Sequence, residues 1–267
     1  MSQTNDIKQE VSAVYDERAE RYGNLTWVER DGTIRLPEKN SGYYFVNKKV
    51  RYALEMSAAS KDHRLLEVGC SYGQMTGLLS KEFSHVTALD MSKPALDVVE
   101  RKFKEYGISN VDFVEDDAEV LASVEDGSYD RVYSFSAIRY CSDVQAAVHQ
   151  AYRALKNGGI AVIDFPNRLS PWHIIFKKSL GIKTHVNDHL FTRAEVREMF
   201  EKAGFKSIEL KNILFLPRSV PNKAFPFFKI ANGILERIPL LNRLSGVIMV
   251  KGQKHEESKS PMDAASV

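Results

Sequence analysis

The sequence predicts an α/β fold: a doubly wound, mostly parallel sheet with helices on both faces. Three observations predict it. Short apolar runs alternate with helix-length segments from about residue 64 onward, the rhythm of βαβ units. The runs are apolar throughout, as strands buried on both faces are. The first run ends in a turn of small residues, Gly69, Ser71 and Gly73, that opens a helix.

The elements follow in order. Ile7, Val11, Val14, Tyr15 and Tyr22 recur at near-helical spacing and predict an amphipathic helix ending near Gly23. A loop to about Gly42 and a second helix over 46–59 come next. Residues 64–68 are the first strand, 74–81 a helix, and 85–89 a second strand closed by Asp90. Ser92 reads as an N-cap, with Pro94 in the first turn of a helix to about Tyr106. A third strand covers 111–114 and ends at Glu115, Asp116 and Asp117; a fourth covers 130–135. A helix over 143–155 is expected to stop at Asn157-Gly158-Gly159, ahead of a fifth strand at 160–165. Thr192-Arg193-Ala194-Glu195 forms a capping box, opening a helix that stops at Gly204. Two last strands are expected at 207–216 and 246–251.

The 267 residues fit one α/β domain with insertions. The organisation expected is an N-terminal helical cap over 1–45, a main domain over 46–252 with insertions at 166–190 and 217–243, and a disordered polar tail over 253–267. A net charge of only +2 gives no general case for nucleic acid as a partner. Cys70 and Cys141 lie far apart, with neither disulfide-framework nor metal-knuckle spacing, so a reducing compartment is the default. The polar N-terminus lacks a signal-peptide core, and no apolar run nears the roughly 18 residues of a membrane span. A cytoplasmic location is the expectation.

Ligands of open α/β sheets bind outside the carboxyl ends of the strands, at the topological switch point. The strand ends therefore name the candidates: Glu67, Gly69, Ser71 and Gly73, then Asp90 and Met91, then Asp116, Asp117 and Ala118, then Ser134 to Tyr140, then Phe165 to Arg168. The first turn is Glu-x-Gly-x-Ser-x-Gly, not the Gly-x-Gly-x-x-Gly of dinucleotide enzymes, because Ser stands at 71 and Gln at 74. Amides at the start of the next helix favour an anionic group. Asp90 lies 17 positions beyond Gly73, where an acid accepts both hydroxyls of a ribose. A carboxylate at 116–117 suits the exocyclic amine of adenine. Each feature has an ordinary alternative, a plain turn or a solvated loop acid; their occurrence at three successive strand ends makes the case.

As a set these residues resemble class I S-adenosylmethionine-dependent methyltransferases, in the small-molecule, type 11-like branch. The run 65–73 resembles the family's first motif, Asp90 its ribose-binding acid and Asp117-Ala118 its adenine-contacting pair. Tyr129-Asp130-Arg131-Val132 is similar to the fourth-strand motif, and Leu155-Lys156-Asn157-Gly158-Gly159 to the turn before the fifth strand. The resemblance covers roughly 43–205. It implies a Rossmann-like, seven-stranded sheet whose last strand is antiparallel, and S-adenosylmethionine as cofactor. The segment 15–22, which contains Tyr22, resembles the N-terminal helix that folds over the cofactor in this branch. Two departures stand out: Ser71 where glycine is common, and Ala137-Ile138-Arg139-Tyr140 where the branch often carries His. The second leaves the catalytic base unassigned by motif.

Methyl transfer displaces a neutral thioether, so alignment supplies much of the rate. A hydroxyl or amine acceptor also calls for a base. Tyr140, His173 and His189 are the catalytic candidates, with His185 beside them; each has packing or surface exposure as its alternative. No metal is required, and Asp164, His185, Asp188 and His189 show no metal-motif spacing. The function expected is methylation of O or N of a small, hydrophobic or lipid-linked acceptor. A carbon acceptor of quinone or sterol type, or a non-catalytic cofactor-binding protein, is the alternative. Within 217–243, Phe227, Phe228, Ile230, Ala231, Ile234, Leu235 and Ile238 form a helical stripe, and five basic residues face one acid. That insertion reads as a helix packed on the core, as a lid over an apolar substrate, or as an interfacial helix touching a membrane through 223–243.

Overall fold

The computed structural model describes residues 8–17, 41–173, 189–215 and 220–255. Its strands are β1 (Arg64–Val68), β2 (His85–Asp90), β3 (Val111–Glu115), β4 (Tyr129–Ser134), β5 (Leu155–Pro166), β6 (Lys206–Ile213) and β7 (Val247–Gln253). They form one sheet in the order β3-β2-β1-β4-β5-β7-β6. The first five pair in parallel, and β7 runs antiparallel to both β5 and β6. The chain winds outward from β1 to β3, then returns to start the other half at β4. The β1/β4 edge is thus the switch point at which such sheets bind ligands.

The helices are α1 (residues 8–17), α2 (Ser41–Ser57), α3 (Gln74–Leu79), α4 (Lys93–Glu105), α5 (Val144–Ala154), α6 (Arg193–Lys202), α7 (Phe225–Leu235) and α8 (Pro239–Asn242). Local chemistry sets several starts. Ser92 caps α4 by accepting from the Ala95 amide, and Asp143 caps α5 by accepting from Ala146. Thr192 and Glu195 close the expected capping box on α6. One core layer packs α5 and α6 on the sheet through Val148, Ala151, Val196 and Phe200. The other packs α2, α3 and α4 through Val50, Ala53, Leu79 and Leu96, and takes in Val220 and Phe225 of the insertion.

Three local readings change. The second helix begins at Ser41, earlier than its apolar pattern suggests. The helix before the fifth strand does not end in a glycine loop: Leu155 is already extended and pairs with Tyr129, so 157–159 lie inside β5. The register shifts between Tyr129 and Arg131 there, and a Cβ at Gly159 would meet the Lys156 carbonyl at 2.8 Å. Glycine serves an irregular strand start rather than a helix stop. Gln253, placed in the tail, is the last residue of β7, and Lys254 ties back to it through its amide on the Gly159 carbonyl at 2.9 Å.

The insertion helix is inside out. Its polar face is turned to the protein: Asn232 is fully buried, and Glu236 pairs with Lys48 of α2 at 2.6 Å. Asn232 accepts from the Phe215 amide at 2.7 Å and donates to the Tyr44 hydroxyl at 3.0 Å. Glu236 accepts from the Leu214 amide at 2.7 Å. These groups satisfy backbone at the end of β6, which no apolar side chain could do. The apolar stripe therefore faces outward, and the reading of a helix packed by that stripe on the core is corrected. Asn232→Ala leaves the Phe215 amide buried without its acceptor and should destabilise the fold by about 1–3 kcal/mol. Thermal melting checks this; a melting temperature equal to the parent's would remove Asn232 as the anchor.

Candidate functional site

A cavity of about 720 Å³ opens at the carboxyl ends of the central strands. Its floor is the turn after β1. Gly69 adopts φ +81°, and a Cβ there would lie 2.1 Å from that of Ala137, so glycine is required for the loops after β1 and β4 to meet. Gly73 adopts φ +70° and is pressed against Val99, which a Cβ would meet at 2.4 Å. Ser71 also lies in the left-handed region, at φ +48°. Its amide donates to the Asp90 carboxylate at 2.7 Å, which holds this unfavourable conformation in place. α3 has six residues and no side-chain cap, so the turn offers amides rather than a strong helix dipole.

Two buried carboxyls face the same floor. Glu67 is 2% exposed and accepts from Thr76 Oγ1 at 2.7 Å. Burial pushes its pKa up to about 7; the Thr76 hydroxyl opposes the shift, and the nearby Asp90 charge adds to it. Burial also raises Asp90, against the amides of Ser92 and Ser71. Each Asp90 oxygen takes one backbone amide, Ser71 on one side and Ser92 at 3.0 Å on the other. A carboxylate has about four lone-pair sites, so capacity remains for two hydroxyls of a ligand. This donor set fits an adenosine-type group beside β2.

The other strand-end candidates separate. Met91, Asp116 and Ala118 line the cavity with Glu67, Gly69, Ser71 and Asp90. Asp116 accepts from the Ser123 amide and the Asp117 amide, both at 2.7 Å, and so fastens its own loop. Asp117 is not part of the lining; its carboxylate receives Lys8 Nζ at 2.5 Å and the Glu119 amide at 2.9 Å. Ser134 is fully buried and donates to the Val68 carbonyl at 2.9 Å, bracing β4 on β1 beneath the cavity. Tyr22 and His185 lie outside the described residues.

α1 roofs the cavity with Lys8, Val11, Ser12 and Tyr15. Three polar contacts hold it there. Lys8 reaches Asp117 and Glu119, the Ser92 hydroxyl donates to Asp16 at 2.5 Å, and Tyr72 OH donates to the Tyr15 carbonyl at 2.7 Å. Residues 18–40 of the expected N-terminal cap lie outside the described residues.

Beyond β4 and β5 the cavity becomes an aromatic chamber with Phe45, Phe135, Tyr140, Phe165 and Trp172. Tyr140 and His173 are among its walls; the Tyr140 hydroxyl accepts from the Arg139 guanidinium, which also lies over its ring. His189 is exposed, outside the lining, with its ring near Phe191 at 6.3 Å. Its position does not suit the catalytic role expected of it. Sequence reasoning missed the chamber's charges. Lys49, 1% exposed, pairs with Asp164, 3% exposed, and donates to Ser136 Oγ at 2.7 Å. Asp164 also accepts from the Ser136 amide at 2.5 Å. The signal was available: Lys49 falls on the same helical stripe as Val46, Val50 and Ala53. Among the described residues no group of His, Cys, Asp and Glu is arranged to hold a metal ion.

The Glu67 shift has a thermodynamic sign. The folded protein keeps this proton to about pH 7, whereas the unfolded chain releases it near 4.5. The protonated carboxyl's contribution is therefore whole below pH 4.5 and lost as pH rises through 7. Glu67→Gln keeps an acceptor for Thr76 and removes the charge. It should stabilise the ligand-free protein above pH 7 by on the order of 3 kcal/mol, seen as a higher melting temperature, with the gain vanishing in acid. Melts across pH decide it; a gain that is constant with pH would refute the assignment.

A family model described as a methyltransferase domain matches residues 66–163. Over 153 residues the chain is 31% identical to 2-methyl-6-phytyl-1,4-hydroquinone methyltransferase 1, chloroplastic, of Oryza sativa subsp. japonica, covering 56% of this chain and 43% of that one. It is 31% identical over 120 residues to the ubiquinone biosynthesis O-methyltransferase of Klebsiella pneumoniae, covering 45% of this chain and 49% of that one. The chain spans about half the length of these curated relatives. In fold it is similar to a Thermotoga maritima S-adenosylmethionine-dependent methyltransferase, a possible histamine N-methyltransferase, with TM-score 0.62 at 15% identity over 91% of this chain and 99% of that one. The matched segment holds β1 to β5 and the whole floor of the cavity, and no helix among the described residues is long and apolar enough to cross a membrane. Residues 66–163 are thus similar to methyltransferase domains, and the sheet that holds them has the fold of that Thermotoga maritima protein.

Proposed function

We propose that the protein transfers the methyl group of S-adenosylmethionine to an oxygen of a small aromatic acceptor of quinol or phenol type. The observation that carries this reading is the two-part cavity: a carboxylate-lined floor under α1, opening into an aromatic chamber with a buried ammonium in its wall. The relatives named for hydroquinone and ubiquinone methylation support the acceptor class. A carbon of a quinone-like ring is the second reading, since the relatives named for hydroquinone and demethylmenaquinone methylation are not named as O-methyltransferases.

When bound, the cofactor supplies an electrophilic methyl group on a sulfonium. The chain's own residues do the rest. Asp90 takes the ribose hydroxyls, with Glu67, Gly69, Ser71, Met91, Asp116 and Ala118 around the remainder of the ligand. α1 covers that end and excludes water. In the chamber, Phe45, Phe135 and Trp172 stack against a flat acceptor. Lys49 Nζ, held by Asp164, places positive charge beside the acceptor hydroxyl and favours its ionised, nucleophilic form. Tyr140 and His173 are the wall groups within the chamber able to relay the proton outward.

Two measurements test this. Asp90→Ala should weaken S-adenosylhomocysteine binding by about 1–3 kcal/mol in calorimetry. An unchanged dissociation constant would move the ribose elsewhere. The double change Lys49→Met with Asp164→Leu replaces the buried pair by apolar groups of similar volume, and a melting temperature near the parent's checks that the fold is kept. It should leave S-adenosylhomocysteine binding intact and lower kcat/KM on a phenolic acceptor by about 100-fold or more, with the pH profile displaced to higher pH. Methylation of amines but not phenols, or turnover indifferent to the double change, would overturn the oxygen reading.

A further inference from the structure

The outward stripe of α7 and α8 is an exposed apolar ridge. Phe227 is 74% exposed, Ile230 67%, Ile234 55% and Leu240 76%. A soluble surface does not keep such side chains together without an occupant. Lys223, Arg237 and Arg243 are exposed around them. The one acid of this insertion, Glu236, is turned inward onto Lys48. The ridge is thus rimmed by cations with no carboxylate among them.

Beside the ridge lies a second cavity, of about 540 Å³, between α2, β6 and α7. Its walls carry Arg51, Lys211, Lys229 and Arg237, besides the paired Lys48 and Glu236. Lys211 Nζ sits 3.7 Å from the centre of the Tyr52 ring, and the Arg51 guanidinium stands 5.4 Å from the same centre. Asn212 also lines this cleft and is 3% exposed. Its side chain takes Arg193 of α6 on the other face of the sheet, so the polar walls of the cleft are its cations, which suit an anion's oxygens. At 100° per residue, positions 229, 233 and 237 fall on one flank of the helix, and 227, 230 and 234 on the flank next to it. Cleft and ridge are neighbours on one surface.

We propose that this surface docks on an anionic phospholipid bilayer: the ridge enters the interface, and the cleft holds a lipid phosphate. A bilayer of anionic amphiphiles supplies an apolar phase and an anion side by side. A second copy meeting ridge to ridge would set cationic rims against each other. The first cavity also reaches Leu214, Gly246 and Val247, at the two ends of the insertion. Docking here would therefore bring the chamber close to a source of apolar acceptor, yet the proposal stands whatever the acceptor is.

Vesicle flotation tests it with the full-length chain. Vesicles of phosphatidylcholine with phosphatidylglycerol should carry the protein, and phosphatidylcholine alone should not; salt should weaken binding. Phe227→Asp with Ile230→Asp should abolish flotation. Lys211→Glu with Arg237→Glu should reduce it by roughly tenfold or more. Both variants change exposed side chains, so their melting temperature and S-adenosylhomocysteine affinity should match the parent's; this separates a failure here from a failure of the methyltransferase reading. Absence of flotation on anionic vesicles would overturn the proposal, as would flotation that neither variant reduces. So would either of two other occupants: inorganic phosphate that stabilises the chain while vesicles do not bind, or a lipid-free dimer in sedimentation velocity that Ile230→Asp dissociates.

Discussion

The buried pair between Lys49 and Asp164 is the constraint around which the acceptor half of the protein is arranged. It joins the middle of α2 to the carboxyl end of β5, and through Ser136 it also fixes the loop after β4. Three elements distant in sequence are therefore locked at one point. Two charges removed from water hold their place only when each is matched and hydrogen-bonded; removing one partner of such a pair costs about 3–5 kcal/mol. Of the chamber's rings, Phe45 stands at this point, its centre 4.6 Å from Lys49 Nζ. Elsewhere α2 is secured by the Lys48–Glu236 pair, by Arg131, which donates to the Ser57 carbonyl at 2.9 Å, and by the hydrogen-bonded Ser57 and Tyr133 hydroxyls.

The cofactor half was largely legible before any coordinates. Its chemistry is local: a strand, a tight turn, an acid, a cap. Ser92, Asp143 and Thr192 act within three residues of themselves, so their roles appear in a linear reading. The seven strands and the antiparallel last one came from the resemblance; the strand order was not read, since pairing of β7 between β5 and β6 is a long-range choice. The acceptor half was less legible for a physical reason. Lys48 and Lys49 look like solvated residues of a surface helix, and only partners far along the chain, Glu236 and Asp164, draw both inward. Asp117 was read as a ligand group because its neighbours in sequence suggest it, but a cation from α1 occupies it in the fold.

The insertion shows the same limit from the other side. Its periodicity was read correctly, and its direction was left open between three readings. An apolar stripe on a helix normally faces the core because that burial outweighs the alternatives. Here β6 ends with amides at Leu214 and Phe215 that need acceptors, and Asn232 and Glu236 meet that need. Unsatisfied backbone is costly enough to decide which face turns in. The apolar side chains are left outside as a consequence.

The roof over the cofactor floor has its own consequence. α1 is fastened by an ion pair at one end, by a hydroxyl–carboxylate contact at the other and by one tyrosine between them. The side chains of Lys8 and Asp117 are 20% and 26% exposed, so dissolved ions compete directly for them. A cover held in this way loosens with ionic strength, while the apolar core beneath it does not. Entry and exit of the bound molecule are thereby put on a different clock from the chemistry, one that the surrounding electrolyte can set.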